Sequence, residues 1–122
     1  LSMHNVHLGF GIVEYSVLLG PLTLTSSLRL FARLAPSLST GQAKIDFIES
    51  LSPAKQLQGS VNTREINNAA LQILSIFGDG HPAKIVHMAC ESNQESVEKL
   101  KSSGMGIIMS TLTNHRSSHI LR

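Results

Sequence analysis

Cys90 is the residue whose type and position best suit nucleophilic chemistry. It ends the apolar run KIVHMAC (84–90), two residues before Ser92, a residue type that commonly begins helices. A thiol at a helix N-terminus is activated by the positive end of the helix dipole. However, the following segment ESNQES (91–96) has two glutamates and no arginine or glycine, so it is unsuited to holding a phosphate. Two interpretations therefore stay open, a reactive thiol and a small apolar residue in the core.

Asp79 and His81 lie in the short glycine-rich segment GDGHP (78–82). An aspartate and a histidine this close together can serve in acid–base chemistry or bind a metal. The simpler interpretation is a tight turn in which the aspartate bonds its own backbone. The sequence favours the turn.

Two histidine pairs have the spacing of metal ligands. His115 and His119 are four residues apart and would share a helix face, while His4 and His7 form a looser pair. No Cys, Asp or Glu stands beside either pair to complete a ligand set. We therefore predict no metal and no cofactor.

Arg29, Phe31 and Arg33 alternate with apolar residues and would lie in line on one face of a strand. Such a basic–aromatic row can hold single-stranded RNA through phosphate contacts and base stacking. The row is short, and the same surface can equally contact another protein.

Composition narrows the class of protein. The chain has 122 residues, of which 42% are hydrophobic and 15% are charged, and this composition favours one packed domain. The net charge is only +2 and the basic residues are scattered, so the sequence has no dedicated basic patch for nucleic acid. One cysteine excludes an internal disulfide and favours an intracellular, cytoplasmic setting. No apolar run approaches 20 residues, which argues against a membrane protein. The first residue is Leu, so we expect a piece of a longer chain.

The elements that would position these residues begin with a long β-hairpin. Apolar residues alternate through residues 4–19, with a change of phase at Val13, and again at the even positions of 22–34 apart from Ser26. Alternation of this kind predicts two strands, and Gly20-Pro21 supplies the break between them. Residues 27–34 also fit a short helix.

The strongest local signals surround a central amphipathic helix over residues 63–77. Asn62 and Glu65 form a capping box, and Gly78 is a typical stop. The apolar stripe at helical spacing consists of Ile66, Ala69, Ala70, Ile73, Leu74 and Phe77. A further helix is predicted over 43–51, with Ala43, Phe47, Ile48 and Leu51 on one side and a short helical turn after it.

Residues 84–112 are predicted to form a β-α-β unit. KIVHMAC (84–90) and GIIMSTL (106–112) have the composition of buried strands, and between them lies a helix that begins at Ser92 and stops at Gly104. The predicted fold is thus one α+β domain, residues 1–122, whose central helix covers a mixed sheet. The alternative is an all-α chain in which 62–112 form armadillo-like helices.

Function is not fixed by any motif. A non-enzymatic protein-interaction or self-assembly module, with a second copy or another protein as its partner, ranks first because charge is scarce and the hairpin would have a free edge. An RNA-binding accessory protein that uses Arg29, Phe31 and Arg33 ranks second. A small enzyme that uses Cys90 or His81 ranks third.

Overall fold

The computed structural model describes residues 21–121, with side chains through His115. It has the following elements: α1 (Leu24–Leu34), α2 (Gly41–Ser50), α3 (Pro53–Gln56), α4 (Thr63–Ile76), a 3₁₀ turn (Gly78–Gly80), α5 (Pro82–Glu91) and α6 (Gln94–Leu121). No β-strand occurs in residues 21–121. The predicted α+β fold is therefore wrong, and the all-α alternative fits. Its likeness to an armadillo-type repeat stays a prediction.

The second strand of the predicted hairpin is helix α1. Thr23 begins it by accepting a hydrogen bond from the Ser26 backbone N–H at 3.2 Å, and Leu28, Phe31 and Ala32 are buried at helical spacing. The leucines at even positions fit both the two-residue period of a strand and the 3.6-residue period of a helix. The strand prediction followed the two-residue period, and the segment is helical. The first strand of the predicted hairpin, residues 4–19, lies outside the described residues.

The central helix is confirmed as α4. Asn62 Oδ1 accepts from the Glu65 backbone N–H at 2.9 Å, and the Glu65 carboxylate accepts in return from the Asn62 N–H. Gly78 follows in the left-handed region at φ 79°. The helices predicted at 43–51 and just after it are confirmed as α2 and α3. What α4 covers is other helices, not a sheet.

The β-α-β unit is wrong at both strands. KIVHMAC lies within α5, because Pro82 fixes the first helical position and Ile85 and Ala89 reach the core one turn apart. GIIMSTL lies within α6, a 28-residue helix. Ser92 ends α5, and Asn93 supplies the cap of α6 by accepting from the Ser96 N–H at 2.8 Å.

Three phenylalanines form the centre of the core. Phe31 of α1 stacks on Phe47 of α2 at 5.4 Å between ring centroids, and Phe77 meets both edge-on at 5.3 and 6.0 Å. Stacked and edge-to-face pairs of this kind add roughly 0.5–1.5 kcal/mol each beyond the area buried. The cluster joins α1, α2 and the end of α4, so the orientation of α1 against α2 is fixed from inside.

Helix α6 packs on α4 and is held at two points. Gly104 lies where a Cβ atom would overlap the buried Leu51 side chain, so the absence of a side chain allows the close approach. Further along, His115 Nδ1 lies 2.9 Å from Glu65 Oε1, which ties α6 to the N-terminal turn of α4. Gly104 therefore belongs to the helix interior, not to the predicted stop.

Candidate docking groove

A surface groove of about 430 Å³ opens between α1, α2 and α3. We call it the α1–α2 groove. Its apolar lining consists of Leu24, Leu28, Ile45 and Ile48. Its polar lining consists of Thr25, Arg29, Glu49, Ser52 and Lys55. The volume falls within the roughly 300–1,000 Å³ typical of ligand sites, and the mixture of an apolar floor and a few polar groups is what such sites share.

The groove follows from how the sequence starts and joins its first two helices. Thr23 caps α1 and Thr40 caps α2, the latter by accepting from the Ala43 N–H at 3.0 Å. Between them, Lys44 Nζ donates to the carbonyl oxygen of Ala32 at 2.9 Å and to that of Leu38. One ammonium group therefore fixes the end of α1, the connecting loop and α2 relative to one another.

Ile45 is the unusual residue of the groove. Its side chain is 48% exposed, whereas Leu28 beside it in the groove is 1% exposed and Phe47 on the same helix is buried. Two residues along a helix turn the side chain by about 200°, so Ile45 and Phe47 face opposite sides of α2. Four large apolar side chains are exposed among the described residues, and Ile45 is the one of them that lines the groove.

The charged groups of the groove are not balanced. Lys55 Nζ lies 3.1 Å from Glu49 Oε2, so these two charges already face each other. None of the ion pairs between described residues includes Arg29, whose side chain is exposed on α1. Within the groove, a guanidinium is therefore the charge left to meet a ligand.

A second cleft, of about 310 Å³, lies between α2 and the start of α6. Its charged lining comprises Asp46, Glu98 and Lys101, and its main apolar members, Phe47 and Val97, are already buried in the core. It presents no large exposed apolar side chain. It is therefore the weaker candidate.

The predicted basic–aromatic row is not assembled. Arg29 and Arg33 lie one turn apart on α1 and are exposed, but Phe31 is fully buried between Phe47 and Phe77. The strand predicted to align Arg29, Phe31 and Arg33 is a helix, and the buried Phe31 ring is not accessible for stacking on a base. RNA binding stays a prediction, without its stacking residue.

Cys90 lies in the last turn of α5, three residues before the cap of α6 at Asn93, and not at the end of a strand. The helix dipole presents partial negative charge at that end, which is the reverse of the arrangement that activates a thiol. The side chain is exposed, so the core interpretation does not fit either. Cys90 is a surface cysteine next to Glu91.

Asp79 and His81 form the predicted turn. Asp79 adopts a left-handed conformation at φ 55°, and His81 precedes α5 with its side chain exposed. His81 caps α5 and Cys90 lies nine positions further along the chain, or about 13 Å along the helix axis. These two candidates for catalysis therefore cannot act on one substrate atom.

The histidine pairs do not make a metal centre among the described residues. His115 contacts Glu65, as above, and no group of three potential ligands occurs in the described part of the chain. The side chain of His119 and the pair His4 and His7 lie outside the described residues.

Ile45 and its neighbours in the groove were not predicted as a site. The apolar stripe predicted for α2 included Ile48 and omitted Ile45, and an isoleucine off the stripe of a core-facing helix is the signal that pointed to a second apolar surface. The partner wall on α1 was hidden because that segment was interpreted as a strand.

No family model, curated protein or solved structure matches this chain. Within residues 21–121, no helix combines the length and the apolar character needed to cross a membrane.

Proposed function

We propose that this protein is a non-enzymatic protein-interaction module that binds its partner in the α1–α2 groove. The observation that carries the proposal is the half-exposed Ile45 at the mouth of a concavity whose floor is made by buried Leu28. Covering such a side chain yields roughly 25 cal/mol for each Å² of apolar surface removed from water. The cytoplasmic setting belongs to the proposal, since the single cysteine suits a reducing compartment.

A rigid frame supports this function. The groove walls are joined from inside by Phe31 and Phe47, and from outside by the Lys44 ammonium group. A surface that is held in its binding shape before contact loses less conformational entropy when the partner binds. The arrangement is that of a preformed docking site.

The proposal can be tested by selection from a display library of helix-forming peptides about 15 residues long, which span three to four turns. The wild-type protein is the bait, and Ile45→Asp is the counter-selection bait. We expect peptides that are retained by wild type and lost on Ile45→Asp, because a carboxylate in the groove mouth would be desolvated by a bound apolar side chain. If no peptide is enriched over Ile45→Asp, the proposal is wrong.

Self-assembly is an outcome of a second measurement. Light scattering at two protein concentrations gives the solution mass of wild type and of Ile45→Asp. An oligomer that dissociates in the variant would make a second copy of this chain the occupant of the groove. If wild type and Ile45→Asp are both monomers, the occupant of the groove is a different protein.

A further inference from the structure

We propose that the partner segment is a short amphipathic helix that carries a carboxylate for Arg29. This inference rests on the proposed function, and it concerns the same groove. It follows from the spacing of the apolar residues in the groove and from its charges.

The spacing of the apolar residues in the groove matches that of a helical partner. The apolar residues on the α1 wall, Leu24 and Leu28, are four apart, and those on the α2 wall, Ile45 and Ile48, are three apart. Each wall thus offers apolar side chains one turn apart along its helix axis, at about the 5.4 Å pitch. A third helix laid between them can insert side chains at matching i, i+3 or i+4 positions, as in other helix-in-groove complexes.

The charges select an acidic partner. Glu49 of the groove faces Lys55 at 3.1 Å, so its charge is met within the protein. Arg29 lines the opposite wall, and no carboxylate among the described residues forms an ion pair with it. A partner carboxylate at the rim would give Arg29 a two-pronged ion pair, whereas a partner lysine there would be repelled.

Arg33 supplies a matched control. It lies one turn beyond Arg29 on the same helix, is exposed, and does not line the groove. A general attraction between basic α1 and an acidic peptide would depend on both arginines. Recognition in the groove would depend on Arg29 alone.

The test uses a selected peptide in two synthetic forms that share one apolar stripe and carry either Glu or Lys at the flanking position. We expect wild type to bind the Glu form about twofold to fivefold more tightly, the range of an exposed ion pair. Arg29→Glu should reverse that preference and bind the Lys form better. Arg33→Glu should leave the preference as in wild type.

Failure of this inference is distinct from failure of the proposed function. Peptides that need Ile45 but bind wild type and Arg29→Glu equally would overturn the acidic-helix assignment and leave the docking module standing. Equal effects of Arg29→Glu and Arg33→Glu would also overturn it, because the attraction would then be unspecific. A groove that binds decanoate but no peptide would overturn both proposals in favour of a small amphipathic acid.

Discussion

Gly104 of α6 lies directly against Leu51, the buried residue that ends α2. An added Cβ atom would overlap the Leu51 side chain and would approach Ile73 Cγ2 to 3.8 Å. The glycine therefore permits α6 to pack closely on both α2 and α4. Glycine costs about 1 kcal/mol relative to alanine in a helix interior, so its use here is explained by packing.

We expect Gly104→Ala to lower the free energy of unfolding by about 1–2 kcal/mol. Overpacking costs about 1–3 kcal/mol, and the better helix propensity of alanine offsets part of that. Gly106 is the matched control, since it lies in the same helix with nothing within 4 Å of an added Cβ atom. Gly106→Ala should raise stability by about 0.5–1 kcal/mol. Urea unfolding measures both, and equal gains in the two variants would contradict the close packing.

Gly80→Ala should be more damaging than Gly59→Ala. Both glycines are left-handed, at φ 79° and 78°, so alanine costs about 1–2 kcal/mol at either position. An added Cβ atom at Gly80 would also lie 2.5 Å from the Leu22 carbonyl oxygen, whereas an added Cβ atom at Gly59 would have no other heavy atom within 4 Å. We expect Gly80→Ala to lower the free energy of unfolding by about 3 kcal/mol or more, because an overpacking cost is added to the cost of the left-handed conformation. Equal losses by thermal unfolding would show that Leu22 is not held against the 3₁₀ turn.

Lys44→Met should destabilise the protein by about 2 kcal/mol, because hydrogen bonds from a charged group contribute about 1.5–3 kcal/mol. The ammonium group meets the Ala32 and Leu38 carbonyl oxygens and is partly buried. Lys55→Met is the control, since the Lys55–Glu49 pair is largely exposed and worth at most about 1 kcal/mol. Urea unfolding measures both variants. If Lys44→Met lowers the free energy of unfolding no more than Lys55→Met does, Lys44 does not hold α1 and α2 together.

Local signals predicted α4 well because all of them agree there. The cap at Asn62, the apolar stripe and the left-handed Gly78 each favour one helix with the same ends. The segment 22–34 was predicted wrongly because its leucines fit both a two-residue and a helical period. The segment 84–90 was predicted wrongly because a short apolar run suits a buried strand as well as a helix. Thr23 and Pro82, the residues that start these helices, are the local signals that favour a helix over a strand in each segment.

The candidate site was harder to predict than the fold. A groove depends on how α1 crosses α2, which the Phe31–Phe47 stack and Lys44 determine through contacts distant in sequence. The one local signal was that Ile45 lies off the apolar stripe of α2, and it does not by itself identify the facing wall on α1. The residue types best suited to catalysis did not indicate the site, because Cys90 and His81 lie at opposite ends of α5.

The affinity of one selected peptide for three proteins tests the docking groove most directly. Fluorescence anisotropy would compare wild type, Ile45→Asp and Leu71→Asp, where Leu71 is 64% exposed on α4 and outside the groove. We expect Ile45→Asp to weaken binding about tenfold or more, since one buried aliphatic side chain is lost and a charge is introduced. Leu71→Asp should bind as wild type does. Equal weakening by the two variants, or none by Ile45→Asp, would contradict the groove as the binding site.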